Sequence, residues 1–123
     1  MQEQEYEVSM MLTNSRETKF TFALEPWGFV YEMEPQTQYL LVFRSTIQPS
    51  PPNTVEVEYA ADHIIVYAWD GCRFAVFKNG EVLPPGAFEG PRLPEGVQVL
   101  KNMGFLKMTM NETLARNKRQ DDL

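Results

Sequence analysis

The chain has 123 residues, of which 43% are apolar and 23% charged, and it carries a formal net charge of −6. These values suit one globular domain with a single core, and they exclude a collagen, a coiled coil and a disordered acidic tail. Its acidity also argues against general nucleic-acid binding, which needs a basic surface to displace counterions, and no run reaches the roughly 18 apolar residues of a membrane-spanning helix. In chain order, residues 1–17 form a polar N-terminal segment in which Val8, Met10 and Leu12 alternate with Ser9, Met11 and Thr13, the pattern of an edge strand over 7–13. Asn14-Ser15-Arg16 reads as a turn. In 18–25, Phe20, Phe22 and Leu24 face one way and Lys19, Thr21 and Glu25 the other. Pro26-Trp27-Gly28 is a turn, after which Phe29, Tyr31 and Met33 resume the alternation. Tyr39 to Arg44 is almost continuously apolar and reads as a strand buried on both faces.

Pro49, Pro51 and Pro52 make 46–53 a loop, and Val55, Val57 and Tyr59 restart the alternation. His63 to Trp69 and Arg73 to Lys78 read as two more strands, followed by a short one from Glu81 to Leu83. Asp70-Gly71 and Asn79-Gly80 are the dipeptides favoured in type I′ turns. A two-residue loop at Asp70-Gly71 would pair Trp69 with Cys72, Tyr67 with Phe74, Ile65 with Val76 and His63 with Lys78, making 63–83 a three-stranded meander. The segment 84–96 is rich in proline and glycine and is expected to wrap the domain or extend from it. Val97, Val99 and Leu100 suggest one further short strand, which ends the β domain at residue 104. In 105–123, Thr109 and Glu112 fit a capping box, and Leu106, Met110 and Leu114 fall on one helical stripe. Arg116, Lys118 and Arg119 sit where cations suit the end of that helix. The expected fold class is all-β: a small antiparallel β-sandwich or jelly-roll-like barrel with a short C-terminal helix.

The residues offer little chemistry. His63 and Cys72 are the only imidazole and thiol, and the expected register sets them too far apart to share a metal. No nucleophile elbow, Rossmann glycine pattern or phosphate loop occurs. No metal, catalytic residue or cofactor is therefore assigned, although His63 beside Asp62 would be the natural base were the protein an enzyme. The acidic N-terminus lacks the apolar stretch of a signal peptide, and one cysteine allows no internal disulfide. A cytoplasmic protein without membrane or nucleic-acid partners is expected.

Residues 1–62 hold three basic and ten acidic groups, and 63–123 hold eight basic and seven acidic. An acidic face over the first half is thus available to a basic partner. Tyr67, Trp69 and Phe74 would share one face of the expected hairpin, with Trp27 in a nearby turn. These four are packing residues if that face is core, and a ligand site if it lines a groove.

Leu24-Glu25-Pro26-Trp27-Gly28, Tyr31, Pro35, Val55-Glu56-Val57, His63 to Trp69 and Val76 to Gly80 together resemble a group of small uncharacterised bacterial proteins. These carry a Leu-Glu-Pro-Trp-Gly turn followed by strands that end in a Trp-centred hairpin. The resemblance covers about 20–83 and implies a small β domain without implying an activity. Where that group often has a proline-glycine pair after the second strand, this chain has Pro35-Gln36-Thr37. The alternation is also similar to cupin-like jelly rolls, in a form lacking the clustered histidines of a metal site. The expected function is a non-enzymatic protein-interaction module, of inhibitor or immunity type, bound to a protein partner or to copies of itself. Its contact surfaces would be the acidic first half, the Pro-rich segment, and the helix bearing Leu106, Met110, Leu114 and Arg116. The alternative is a small-ligand-binding barrel with Trp27, Tyr67, Trp69 and Phe74 in its pocket.

Overall fold

The computed structural model describes residues 4–94. They form eight strands: β1 (Tyr6–Asn14), β2 (Phe20–Glu25), β3 (Phe29–Met33), β4 (Thr37–Ser45), β5 (Glu56–Tyr59), β6 (His63–Tyr67), β7 (Arg73–Lys78) and β8 (Glu81–Val82). No helix occurs among the described residues. The strands make two four-stranded sheets, ordered β1-β4-β7-β8 and β3-β2-β6-β5. All pairings are antiparallel except β2 with β6, which run parallel. The expected C-terminal helix and the strand at 97–100 lie outside the described residues, as do Leu106, Met110, Leu114 and Arg116.

One apolar cluster draws on both sheets. Leu12, Tyr39, Leu41, Phe43, Phe74 and Val76 come from the first sheet, and Phe22, Leu24, Met33 and Val66 from the second. Period-two alternation explains this, since every second residue of β2 and β4 meets the facing sheet. Each such side chain, fully buried, contributes about 1.5–3 kcal/mol. The residues that close the ends are polar. Asn14 is buried, and its Nδ2 donates to the carbonyls of Thr18, Met33 and Glu34, tying the end of β1 to the end of β3.

The expected meander over 63–83 is corrected. β6 and β7 belong to different sheets, so Trp69–Cys72, Tyr67–Phe74, Ile65–Val76 and His63–Lys78 do not pair as ladder partners. Of Asp70 and Gly71, only Gly71 has positive φ, at 74°. The turn, closed by Cys72 N–H donating to Trp69 O at 3.3 Å, therefore lacks the type I′ geometry that would fold the chain back on itself. The apolar pattern supplies the reason. β6 and β7 are both apolar on two faces, and each is satisfied as an interior strand, β6 between β2 and β5 and β7 between β4 and β8. Asn79-Gly80 does form the tight hairpin, with φ of 53° and 82° and Lys78 opposite Glu81.

The Pro-rich segment runs along β7 as far as it is described. Leu83, Phe88 and Leu93 donate their N–H groups to the carbonyls of Val76, Phe74 and Cys72. An irregular strap thus satisfies the edge that two-residue β8 leaves open. Two side chains near the Leu-Glu-Pro-Trp-Gly turn hold it down. Trp27 Nε1 donates to Pro91 O at 2.6 Å and Tyr31 Oη to Pro84 O at 2.8 Å.

Candidate functional site: an open strand edge and an apolar row

The aromatic residues read as one face are divided by the fold. Phe74 is 1% exposed in the core. Trp27 packs on Phe74 at 4.6 Å and on Phe43 at 6.4 Å between ring centres. Trp69 joins the same core, and its indole N–H donates to the carbonyl of Ile47. Tyr67 points the other way, onto the outer face of the β3-β2-β6-β5 sheet with Ala23, Ile65 and Val30. Tyr67 and Trp69 still come together at the end of β6, where both border a cavity of about 700 Å3 beneath the loop Ile47–Pro51. Trp27 and Phe74 do not line it.

The outer face around Tyr67 is acidic. The β5–β6 register sets Glu56 opposite Tyr67 and Glu58 opposite Ile65, and Tyr67 Oη donates to Glu58 Oε2 at 2.8 Å. Glu32, on the same face, pairs with Lys19 at 3.7 Å. Glu25, which the alternation sets on the face opposite Phe22 and Leu24, is fully buried. Alternation puts it on the face of Ala23, opposite Tyr67 on β6. Neither carboxylate oxygen has a hydrogen-bond partner among the described residues, and burial pushes its pKa from 4.5 up to about 7.

His63 Nδ1 lies 2.7 Å from Asp62 Oδ1, at the opposite end of β6 from the cavity. Cys72 is buried in the core, where burial pushes its thiol up to about 12, far from the range of a reactive thiolate. No group of three metal-ligating side chains occurs among the described residues, and no helix there is long and apolar enough to cross a membrane.

The β1-β4-β7-β8 sheet presents a different surface. Its outer face carries an apolar row in strict register: Met11 opposite Leu40, Leu40 opposite Phe77, and Phe77 opposite Val82. Met11 is 58% exposed and Val82 43%. The row ends at β1, which is the edge of the sheet and nine residues long. Within Tyr6–Asn14 the only charged residue is Glu7, and there is no proline. Natural edges are usually blunted by lysine, proline or bulges, and β1 has none of these. The row was visible in the sequence only as Met11 interrupting the polar positions Ser9 and Thr13, because its other members are set by cross-strand register. No protein-family model, curated protein or solved structure matches the chain.

Proposed function

We propose that the chain is a non-enzymatic protein-interaction module, a sandwich of two sheets whose docking element is the β1 edge, and that the occupant of that edge is a second copy of the chain. The observation that carries this is the continuity between a nine-residue edge that has no outer partner among the described residues and the exposed row that ends on it. A strand added to an open edge gains a ladder of main-chain hydrogen bonds, and side chains on one face supply its specificity. A two-fold axis at Met11 would pair residues 8–14 antiparallel with their counterparts. It would set Met11 against Met11 and extend the row without a break across eight strands. Bringing the two Met11 side chains together covers the most exposed apolar side chain of the row.

Sedimentation of the full chain against Met11→Lys tests it. The parent protein should self-associate reversibly, and the variant should remain monomeric with its fold intact by circular dichroism. A parent chain that sediments as a monomer throughout the accessible concentration range overturns the proposal.

A second reading, small-ligand binding, rests on the 700 Å3 cavity bordered by Tyr67 and Trp69, which lies within the usual span of roughly 300–1,000 Å3 for ligand pockets. Energy transfer from tryptophan to the apolar dye Nile red, abolished by Tyr67→Ala, would support it. No saturable transfer would count against it.

A further inference from the structure

Three of the six basic side chains among residues 4–94 meet in one place, although the chain as a whole is acidic. Arg44, Arg73 and Arg92 line a cavity of about 280 Å3 at the β1-β4-β7-β8 sheet, together with Glu5, Ser45, Thr46, Gly71 and Phe88. We propose that this cavity binds the oxyanion group of a small molecule, a phosphate or carboxylate, independently of whether the chain pairs through β1.

Arg44 and Arg73 stand directly opposite each other on β4 and β7. Like charges in that position destabilise a sheet unless something negative lies between them. Arg44 is partly neutralised by Glu7 at 3.6 Å, and its guanidinium lies over the Phe88 ring at 4.2 Å. Arg92 arrives from the Pro-rich strap. Its Nε donates to Gly71 O at 3.2 Å and its Nη2 to Thr46 Oγ1 at 3.1 Å. These contacts hold two guanidinium planes in place, and each still has further N–H donors to offer. Arg73 has no ion pair or side-chain hydrogen bond among the described residues. Thr46 accepts from Arg92, which leaves its hydroxyl proton for a ligand oxygen.

Gly71 is required at the cavity wall. Its φ is +74°, and a Cβ there would meet Ser45 Oγ at 2.9 Å and Arg92 Nη2 at 3.6 Å. With Glu5 and Glu7 counted, the arginines leave one net positive charge. An anion presenting two oxygens to guanidinium forks is the chemistry that such a site recognises.

The test is titration of the full chain with inorganic phosphate, phenyl phosphate and acetate, followed by NMR of the Thr46 and Gly71 amides and the arginine Nε–H groups. Saturable shifts at these groups are expected. Saturation by the two phosphates alone assigns a phosphate site, and saturation by acetate as well assigns a general oxyanion site. Arg73→Gln, which removes an exposed side chain that has no partner among the described residues, should weaken binding roughly tenfold. Lys78→Gln, which removes an equal charge from the far end of β7, should leave it unchanged. Absence of saturable shifts in the millimolar range, or equal weakening by Lys78→Gln, would overturn the proposal.

Discussion

Replacing Glu25 by glutamine should abolish a defined part of the protein's pH dependence. In the unfolded chain the Glu25 carboxyl has its ordinary pKa of 4.5, and in the native protein burial raises it to about 7. Between those values the native state binds a proton that the unfolded state does not, so stability falls as pH rises. Below pH 4.5 both states are protonated and the group contributes nothing. Above about pH 7 both are ionised and the destabilisation is complete. Its size follows from the two pKa values, about 3 kcal/mol, which corresponds to roughly 10–20 °C in Tm for a domain of this size. The groups facing Glu25 are acidic or neutral. Tyr67 lies opposite it on β6, Glu58 accepts from Tyr67, and Glu56 stands opposite Tyr67 on β5. No described cation faces Glu25 to rescue its charge. Urea unfolding of the parent and Glu25→Gln at steps from about pH 4.5 to pH 8.5 measures the effect. An unpartnered buried amide carries its own cost of about 1–3 kcal/mol, but that cost does not vary with pH. The difference between the two proteins should therefore shift in favour of the variant by about 3 kcal/mol across this interval. A difference that stays constant with pH would refute the reasoning.

Three further outcomes follow from the packing. Gly71→Ala combines a φ of +74° with a Cβ 2.9 Å from Ser45 Oγ, whereas at Gly80, φ +82°, a Cβ would meet nothing within 4 Å. Gly80→Ala should thus cost about 1–2 kcal/mol from conformation alone and Gly71→Ala clearly more, and equal losses in denaturant titrations would contradict the geometry. Trp27→Phe removes the hydrogen bond to Pro91 O while keeping most ring packing. It should lower stability by about 1 kcal/mol and raise proteolytic cleavage within the strap at 84–93, and an unchanged cleavage pattern would argue against that anchor. Cys72, buried with its thiol raised to about 12, should react with a disulfide reagent at neutral pH only as fast as the protein opens. Reaction at the rate of a free thiol would show that the site is accessible.

Most strands were legible because their signals are local. The alternation in 20–24 and 29–33, the continuous apolar run at 39–44 and the Asn79-Gly80 hairpin each depend on a few neighbouring residues, and each forms. Sheet membership was not legible, because it depends on partners distant in sequence. Asp70-Gly71 and Asn79-Gly80 look alike as dipeptides. The first connects two sheets and the second closes a hairpin, because β6 finds its neighbours in β2 and β5 while β7 finds its own in β4 and β8. The same reason hid the candidate surfaces. Met11, Leu40, Phe77 and Val82 come from four strands, and Arg44, Arg73 and Arg92 from two strands and a strap. Only the register aligns them. The burial of Glu25 was not legible either, because alternation identifies the face a residue shares but not whether that face meets water.

The claim that two copies pair through β1 is tested most directly by a covalent trap. Residues directly opposite across an antiparallel pair have Cα atoms about 4.5–5.5 Å apart, within the range a disulfide spans. Met11→Cys, on the proposed two-fold axis, should therefore oxidise readily to a species of twice the 14.2 kDa chain mass. Ser9→Cys would stand opposite Thr13 of the other copy and should not cross-link efficiently, and Cys72 is too buried to compete. A Met11→Cys protein that stays monomeric under oxidation while its exposed thiol is freely alkylated, or one that cross-links no better than Ser9→Cys, would contradict the account.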